Sequence, residues 1–146
     1  MTAIDRTAYP RPGARLTREE LIARYDLAKS EFTFIRANAR GDAGRLMLAT
    51  MLKTRQDLGY FTMPEEAHPG MVAHLAAQLG VPPPSTWPDE ARRTKSLYRY
   101  QAAVRAHLSI RCYDEAAECL VADATREAAE TMSDPADLIN RAVEAL

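Results

Sequence analysis

The stretch DAGRLMLATMLKTRQDLG, residues 42–59, limits the possible folds more than any other part of the chain. Leu46, Ala49, Met51, Leu52 and Leu58 recur at helical spacing, Met47 and Leu48 widen the stripe, and Gly59 stands where a glycine ends a helix. An apolar stripe this broad has to be covered from several sides. It predicts a central helix with other helices packed round it, its polar face carrying Arg45, Lys53 and Arg55.

The flanking sequence supplies those helices and shows no alternating strand pattern. Thr17 and Glu20 form a capping box ahead of Leu21, Ile22 and Tyr25. Ser30 is read as the N-cap of a second helix, with Phe32 and Ile35 inward and Arg36 outward. After the loop YFTMPEEAHP, a helix from Pro69 or Gly70 to Leu79 stops at Gly80. VPPPSTWP, with four prolines in eight residues, excludes regular structure. Pro88, Asp89 and Glu90 read as a first helical turn, and a second start at Thr94 or Ser96 runs to about Leu108. YDEAAECLVADATREAAETM and DPADLINRAVEAL are also helical. The expected fold is all-α: a compact multi-helix domain over 17–146 with a helix-turn-helix-like element, preceded by an irregular, flexible basic arm over 1–16. Pro10, Pro12 and Gly13 break the arm, and Arg6, Arg11 and Arg15 make it basic.

A length of 146 residues suits one domain with a real core. No apolar run approaches a membrane span, and MTAIDRTAYPRPGARL has no signal-peptide h-region, so no membrane partner is expected and the compartment is read as the cytoplasm. Cys112 and Cys119 are read as free thiols packed as small apolar residues. On one helix their Cα atoms would lie about 10.5 Å apart, beyond the roughly 7 Å a disulfide allows.

The net charge of −1 conceals a division. Residues 1–111 hold 17 basic and 11 acidic side chains, whereas residues 112–146 hold two basic (Arg126 and Arg141) and nine acidic. Such asymmetry points to nucleic acid or to a partner surface, although solvated helix faces also segregate charge.

The basic side is densest in RRTKSLYRYQAAVRAHLSIR, residues 92–111, with six Lys or Arg and no Asp or Glu. On a helical wheel Leu97, Tyr100, Val104 and Leu108 share one face, which is expected to dock on the core. Arg92, Lys95 and Arg99 gather on another, followed by Ala102, Ala103 and Ala106, small enough for close approach to a polyanion. Arg105 lies on a third side near Tyr98 and Gln101, types that reach base edges or sugars. From these residues alone, phosphate grip and an ordinary wet amphipathic helix both stand. Upstream, VAHLAAQLGV has the spacing of the first half of a helix-turn-helix: Ala76 at the helix crossing, Gly80 in the turn, Val81 beneath it. A second helix would then begin near Pro84, where PPPSTWP stands instead.

Other chemistry finds little support. His68, His74 and His107 lack ligand spacing with one another or with the cysteines, and RGDAGR lacks the strand and the Lys-Ser/Thr ending of a phosphate loop. Adjacent carboxylates such as Glu19/Glu20, Glu65/Glu66 and Asp89/Glu90 diverge on a helix. No catalytic residue, metal site or cofactor is expected.

The block ARYDLAKSEFTFIRANARGDAGRLMLATMLKTRQDLGYF resembles the N-terminal region of the replicative transposases of the Tn-three family. The residues that carry the likeness are Tyr25 and Leu27, Phe32 to Ile35, Arg40-Gly41, Arg45-Leu46, and Arg55 with Gly59 to Phe61. HLAAQLGV is similar to a second block of that family, and Arg93 through Tyr113, with Val104-Arg105 and Arg111, to a third. Gly44 and Met47 depart from the pattern, standing where the family prefers Asn and Gly, as do Ser96 and Tyr100, where it prefers Thr and His.

The resemblance implies an all-helical part that binds double-stranded DNA at the transposon's terminal inverted repeats. It implies that catalysis resides in a later RNase-H-like domain absent from this chain, which is then not an enzyme and is either a fragment or a short relative. The residues expected at DNA are Arg92, Arg93, Lys95, Ser96, Arg99, Gln101, Arg105 and Arg111, with Arg40 and Arg45. The alternative, suggested by the acidic segment 113–146, is a protein-interaction module: a transposase assembly surface or a regulator that self-associates.

Overall fold

The computed structural model describes residues 15–87, 94–111 and 113–146. They form α1 (Arg18–Tyr25), α2 (Lys29–Asn38), α3 (Gly41–Leu58), a single 3-10 turn (Pro64–Glu66), α4 (Pro69–Leu79), α5 (Thr94–His107), α6 (Glu115–Ala129) and α7 (Pro135–Glu144), with no strand among the described residues. The all-α expectation holds. Two compact units emerge, one ending at Ile110 and one running from Arg111 to Leu146.

In the first unit α3 is the axis: α2, α4, α5 and the 3-10 turn all pack on it. Every residue from Leu46 to Thr54 is buried, so this helix has no polar face along its middle. Burying each such Leu or Met side chain contributes roughly 1.5–3 kcal/mol, and α3 with Ile35, Leu75, Tyr100 and Val104 makes the centre of the core.

Lys53 corrects the expected polar face, being only 5% exposed. Its Nζ donates to both carboxylate oxygens of Glu31 on α2, at 3.1 and 2.8 Å, and Gln56 Nε2 donates to the same carboxylate at 2.8 Å. Glu31 also accepts the Ala28 N–H at 2.8 Å, which moves the start of α2: Ala28, not Ser30, is the N-cap, and Ser30 lies exposed in the first turn. Burial pushes the Glu31 carboxyl upward, but the bonds from Lys53, Ala28 and Gln56 outweigh it and hold the group below its ordinary range.

The helix ends follow the sequence closely. Thr17 and Glu20 close the capping box of α1. Gly59 and Gly80, at φ 80° and 69°, end α3 and α4 in the left-handed conformation that glycine adopts without strain. At the end of α4 the Val81 N–H donates to the Ala76 carbonyl and the Gly80 N–H to that of Ala77, so the first helix and turn of the expected element are present. From Val81 to Trp87 the chain then runs without helix, and the next described helix starts at Thr94.

Between α1 and α3, the buried Tyr25 hydroxyl donates to Asp57 Oδ2 at 2.7 Å, and Arg24 Nε donates to Oδ1 of the same carboxylate at 3.1 Å. Burial first, then the Asp57 bond, push the Tyr25 phenol up to about 12.

The second unit is a hairpin in which α6 packs on α7. Asp114 caps α6 through the Ala117 N–H and Asp134 caps α7 through the Ala136 N–H. Cys119 on α6 is a free, exposed thiol and not the packed one expected. It lies outside the hairpin's shared side, one position before the equally exposed Leu120. Cys112, the arm up to Ala14, and the first turn expected at Pro88 to Glu90 lie outside the described residues.

Candidate nucleic-acid interface

Tyr100 and Val104 fix the rotation of α5. They are 4% and 0% exposed, and Leu97 and Leu108 pack partly against the same core. That anchoring follows the sequence pattern and leaves Lys95, Tyr98, Arg99, Ala102 and Ala106 exposed on the opposite side. Within about 100° of arc these side chains make one stripe, cationic in its first turns and alanine-lined beyond. Arg99 Cζ stands 5.1 Å from the centroid of the Tyr100 ring, a stacking that steadies its long side chain without neutralising its charge. Neither Lys95 nor Arg99 forms an ion pair among the described residues.

Two more arginines converge farther along α5. Arg105 Cζ lies 5.4 Å from the Phe61 ring centroid and Arg55 Cζ 5.9 Å from the same centroid. Arg105 comes from α5 and Arg55 from the last turn of α3, while Gly59 turns the chain so that Phe61 reaches both. Among the described residues the only other polar contact of Arg105 is at 3.5 Å from Gln101 Oε1. Two guanidinium groups therefore share one aromatic ring with no carboxylate between them. A guanidinium steadied by a ring keeps its charge and its donors, which a phosphate can engage by charge-assisted hydrogen bonds.

The edge of this surface is held by packing. His107 stacks on Phe34 of α2, centroids 4.2 Å apart and planes 20° from parallel. Gly44 of α3 lies against Tyr100 so tightly that an added Cβ would stand 2.8 Å from the phenol oxygen. These contacts fix α5 against α2 and α3, so its cations are presented by a rigid helix.

The other expected residues are distributed unevenly. Ser96 and Gln101 are half-buried on α5. Arg40 is exposed at the N-cap of α3. Arg45, one turn on, is half-buried and its Nε is fully buried without a hydrogen-bond partner. Arg111 opens the second unit and is bound to Asp114 at 2.5 Å, so its charge is already matched. Arg92 and Arg93 lie outside the described residues. Arg55 and Phe61 were not expected at the site. Their signal was the glycine after α3 followed by an aromatic, a turn that folds the chain back on the last helical turn, but the partner on α5 has no local signature.

Among the described residues no group of three His, Cys, Asp or Glu side chains is arranged to hold a metal ion. No helix among them is long and apolar enough to cross a membrane. No match was found among curated proteins or among solved structures. A family profile described as Domain of unknown function (DUF4158) matches residues 1–146, and the chain belongs to that family.

Proposed function

We propose that this member of the family binds double-stranded DNA through α5 and the arginines beside it, as the end-recognition part of a replicative transposase. The observation that carries the reading is a set of four cations, Lys95, Arg99, Arg105 and Arg55, on or beside one rigid helix and with no ion pair among the described residues. Their spacing suits contacts to successive phosphates, which position a protein without reading sequence. Tyr98 and Gln101, on the flanks of the stripe, are the groups available for sugar or base-edge contact. The resemblance to Tn-three-family transposases supplies the target, the terminal inverted repeats. On this reading the chain holds DNA and does no chemistry on it.

Four phosphate contacts set the scale of the test. The logarithm of affinity falls by about 0.9 per contact per tenfold rise in salt, so binding weakens roughly a hundredfold between about 50 and 200 mM salt. Fluorescence anisotropy with the inverted repeat of the source transposon and a scrambled duplex of equal length measures this directly. Tighter binding to the repeat, lost in Lys95→Ala/Arg99→Ala/Arg105→Ala, supports end recognition. Equal binding to both duplexes reduces the assignment to phosphate grip alone, and no binding to either refutes it.

A further inference from the structure

We infer that the acidic hairpin of α6 and α7 is a docking surface for the basic α5 face of a second copy of this chain. The inference rests on the assignment of α5 as a face for polyanions, and it concerns a protein partner for that face.

The hairpin cannot cover its own apolar side chains. Two helices share only one side, and Ala128 and Ala136 are the buried residues along it. On α7 and just past its end the apolar residues Leu138, Ile139, Ala142, Val143 and Leu146 fall within about 140° of helical arc. Ile139, Val143 and Leu146 remain 39%, 37% and 70% exposed, and Leu120 on α6 is 58% exposed. Exposed apolar residues concentrated on so small a unit mark a contact surface.

Charge decides which occupant fits. The hairpin's own arginines are engaged within their helices, Arg126 with Asp123 at 2.8 Å and Arg141 with Glu144 at 3.3 Å. Glu115, Glu118, Glu127, Glu130 and Asp137 have no ion pair among the described residues. Pairing two hairpins would bring two strongly acidic units together, a like-charge contact that opposes association. The α5 stripe has the opposite character: Lys95 and Arg99 for the carboxylates, and Tyr98, Ala102 and Ala106 as a flat apolar strip. With a total charge of only −1, two copies do not repel at long range, while the division of charge within each favours head against tail. Such a contact is heterologous: each copy offers a hairpin to one neighbour and α5 to another.

The test is sedimentation velocity of the full chain over a concentration series, without DNA. Wild type self-associates, and the association weakens by at least about tenfold when salt rises from about 50 to 300 mM. Lys95→Glu/Arg99→Glu, with a broken α5 face, and Ile139→Ser/Val143→Ser, with a broken hairpin face, are each monomeric. All four substituted side chains are exposed or partly exposed, and far-UV circular dichroism checks that both variants fold. Mixed together they form a one-to-one complex, because each retains the face the other has lost, and it grows no further. A wild-type chain that stays monomeric at every concentration overturns the inference. So does association that strengthens with salt and is lost only in the hairpin variant, which is the signature of hairpin against hairpin. Because DNA is absent throughout, a failure of DNA binding leaves this result standing, and the converse.

Discussion

Lys53 Nζ of α3 sits 2.8 Å from Glu31 Oε2 of α2, with the two side chains only 6% and 8% exposed. A buried pair of this kind is costly to break from one side, because the remaining charge has no water to turn to. Lys53→Met therefore lowers unfolding free energy by about 3–5 kcal/mol. The double variant Glu31→Gln/Lys53→Met recovers more than half of that, since the new amide oxygen still accepts from the Ala28 N–H and the new NH2 group can donate to Gln56 once the Gln56 amide flips. Urea unfolding of the two single variants and the double, read as a cycle, measures both quantities.

The same pair sets the acid limit of the fold. Glu31 has a folded-state pKa below its ordinary value of 4.5, so as pH falls the unfolded chain takes up the proton first. Its stabilising contribution is thus complete above about pH 4.5 and is lost as pH falls through the lower folded-state value. Wild type should lose stability more steeply than Glu31→Gln below about pH 4.5, and the two should run parallel between about pH 5.5 and 7. Urea midpoints across that range read the difference. Parallel curves throughout would remove Glu31 from the account of acid unfolding.

The central place of α3 was legible because its apolar residues fall on more than one side of the helix. The role of Lys53 was not, because a lysine at helical spacing reads as a wet face until the acid 22 residues before it is known to lie opposite. The inward face of α5 was legible: Leu97, Tyr100, Val104 and Leu108 do turn inward, and that sets which of its described cations turn out. The Arg55–Phe61–Arg105 group was hidden for the reason Lys53 was, since its members come from two helices and a turn. A further case is Gly44 and Tyr100, read separately as departures from the transposase pattern. In the structure they touch, so the absence of a side chain at one position makes room for the larger ring at the other.

That contact gives a packing prediction. Gly44→Ala improves helix propensity by about 1 kcal/mol, yet its Cβ would meet the phenol oxygen of a nearly buried Tyr100 at 2.8 Å. Displacing a packed ring costs about 1–3 kcal/mol, so the net change is a lower melting temperature. Gly44→Ala/Tyr100→Phe removes the oxygen and should melt above Gly44→Ala alone. Differential scanning calorimetry of the three chains decides it, and a Gly44→Ala variant more stable than wild type would show that the ring moves freely.

The last prediction separates the cations that are free from those already matched. Arg99 and Arg105 have no carboxylate partner among the described residues, whereas Arg111 holds Asp114 at 2.5 Å. A phosphate that displaces Asp114 from Arg111 exchanges one anion for another, while a phosphate at Arg99 or Arg105 replaces only water and mobile ions. Arg99→Ala and Arg105→Ala should each reduce the slope of log affinity against log salt by about 0.9. Arg111→Ala should leave it nearly unchanged. Arg55→Ala belongs with the first pair, because its guanidinium shares the Phe61 ring with Arg105. Phe61→Ala should weaken binding with little change of slope, since it removes the platform and none of the charge. A slope that falls equally for Arg111→Ala and Arg99→Ala would mean that the Asp114 pair opens on DNA and that the interface extends beyond α5.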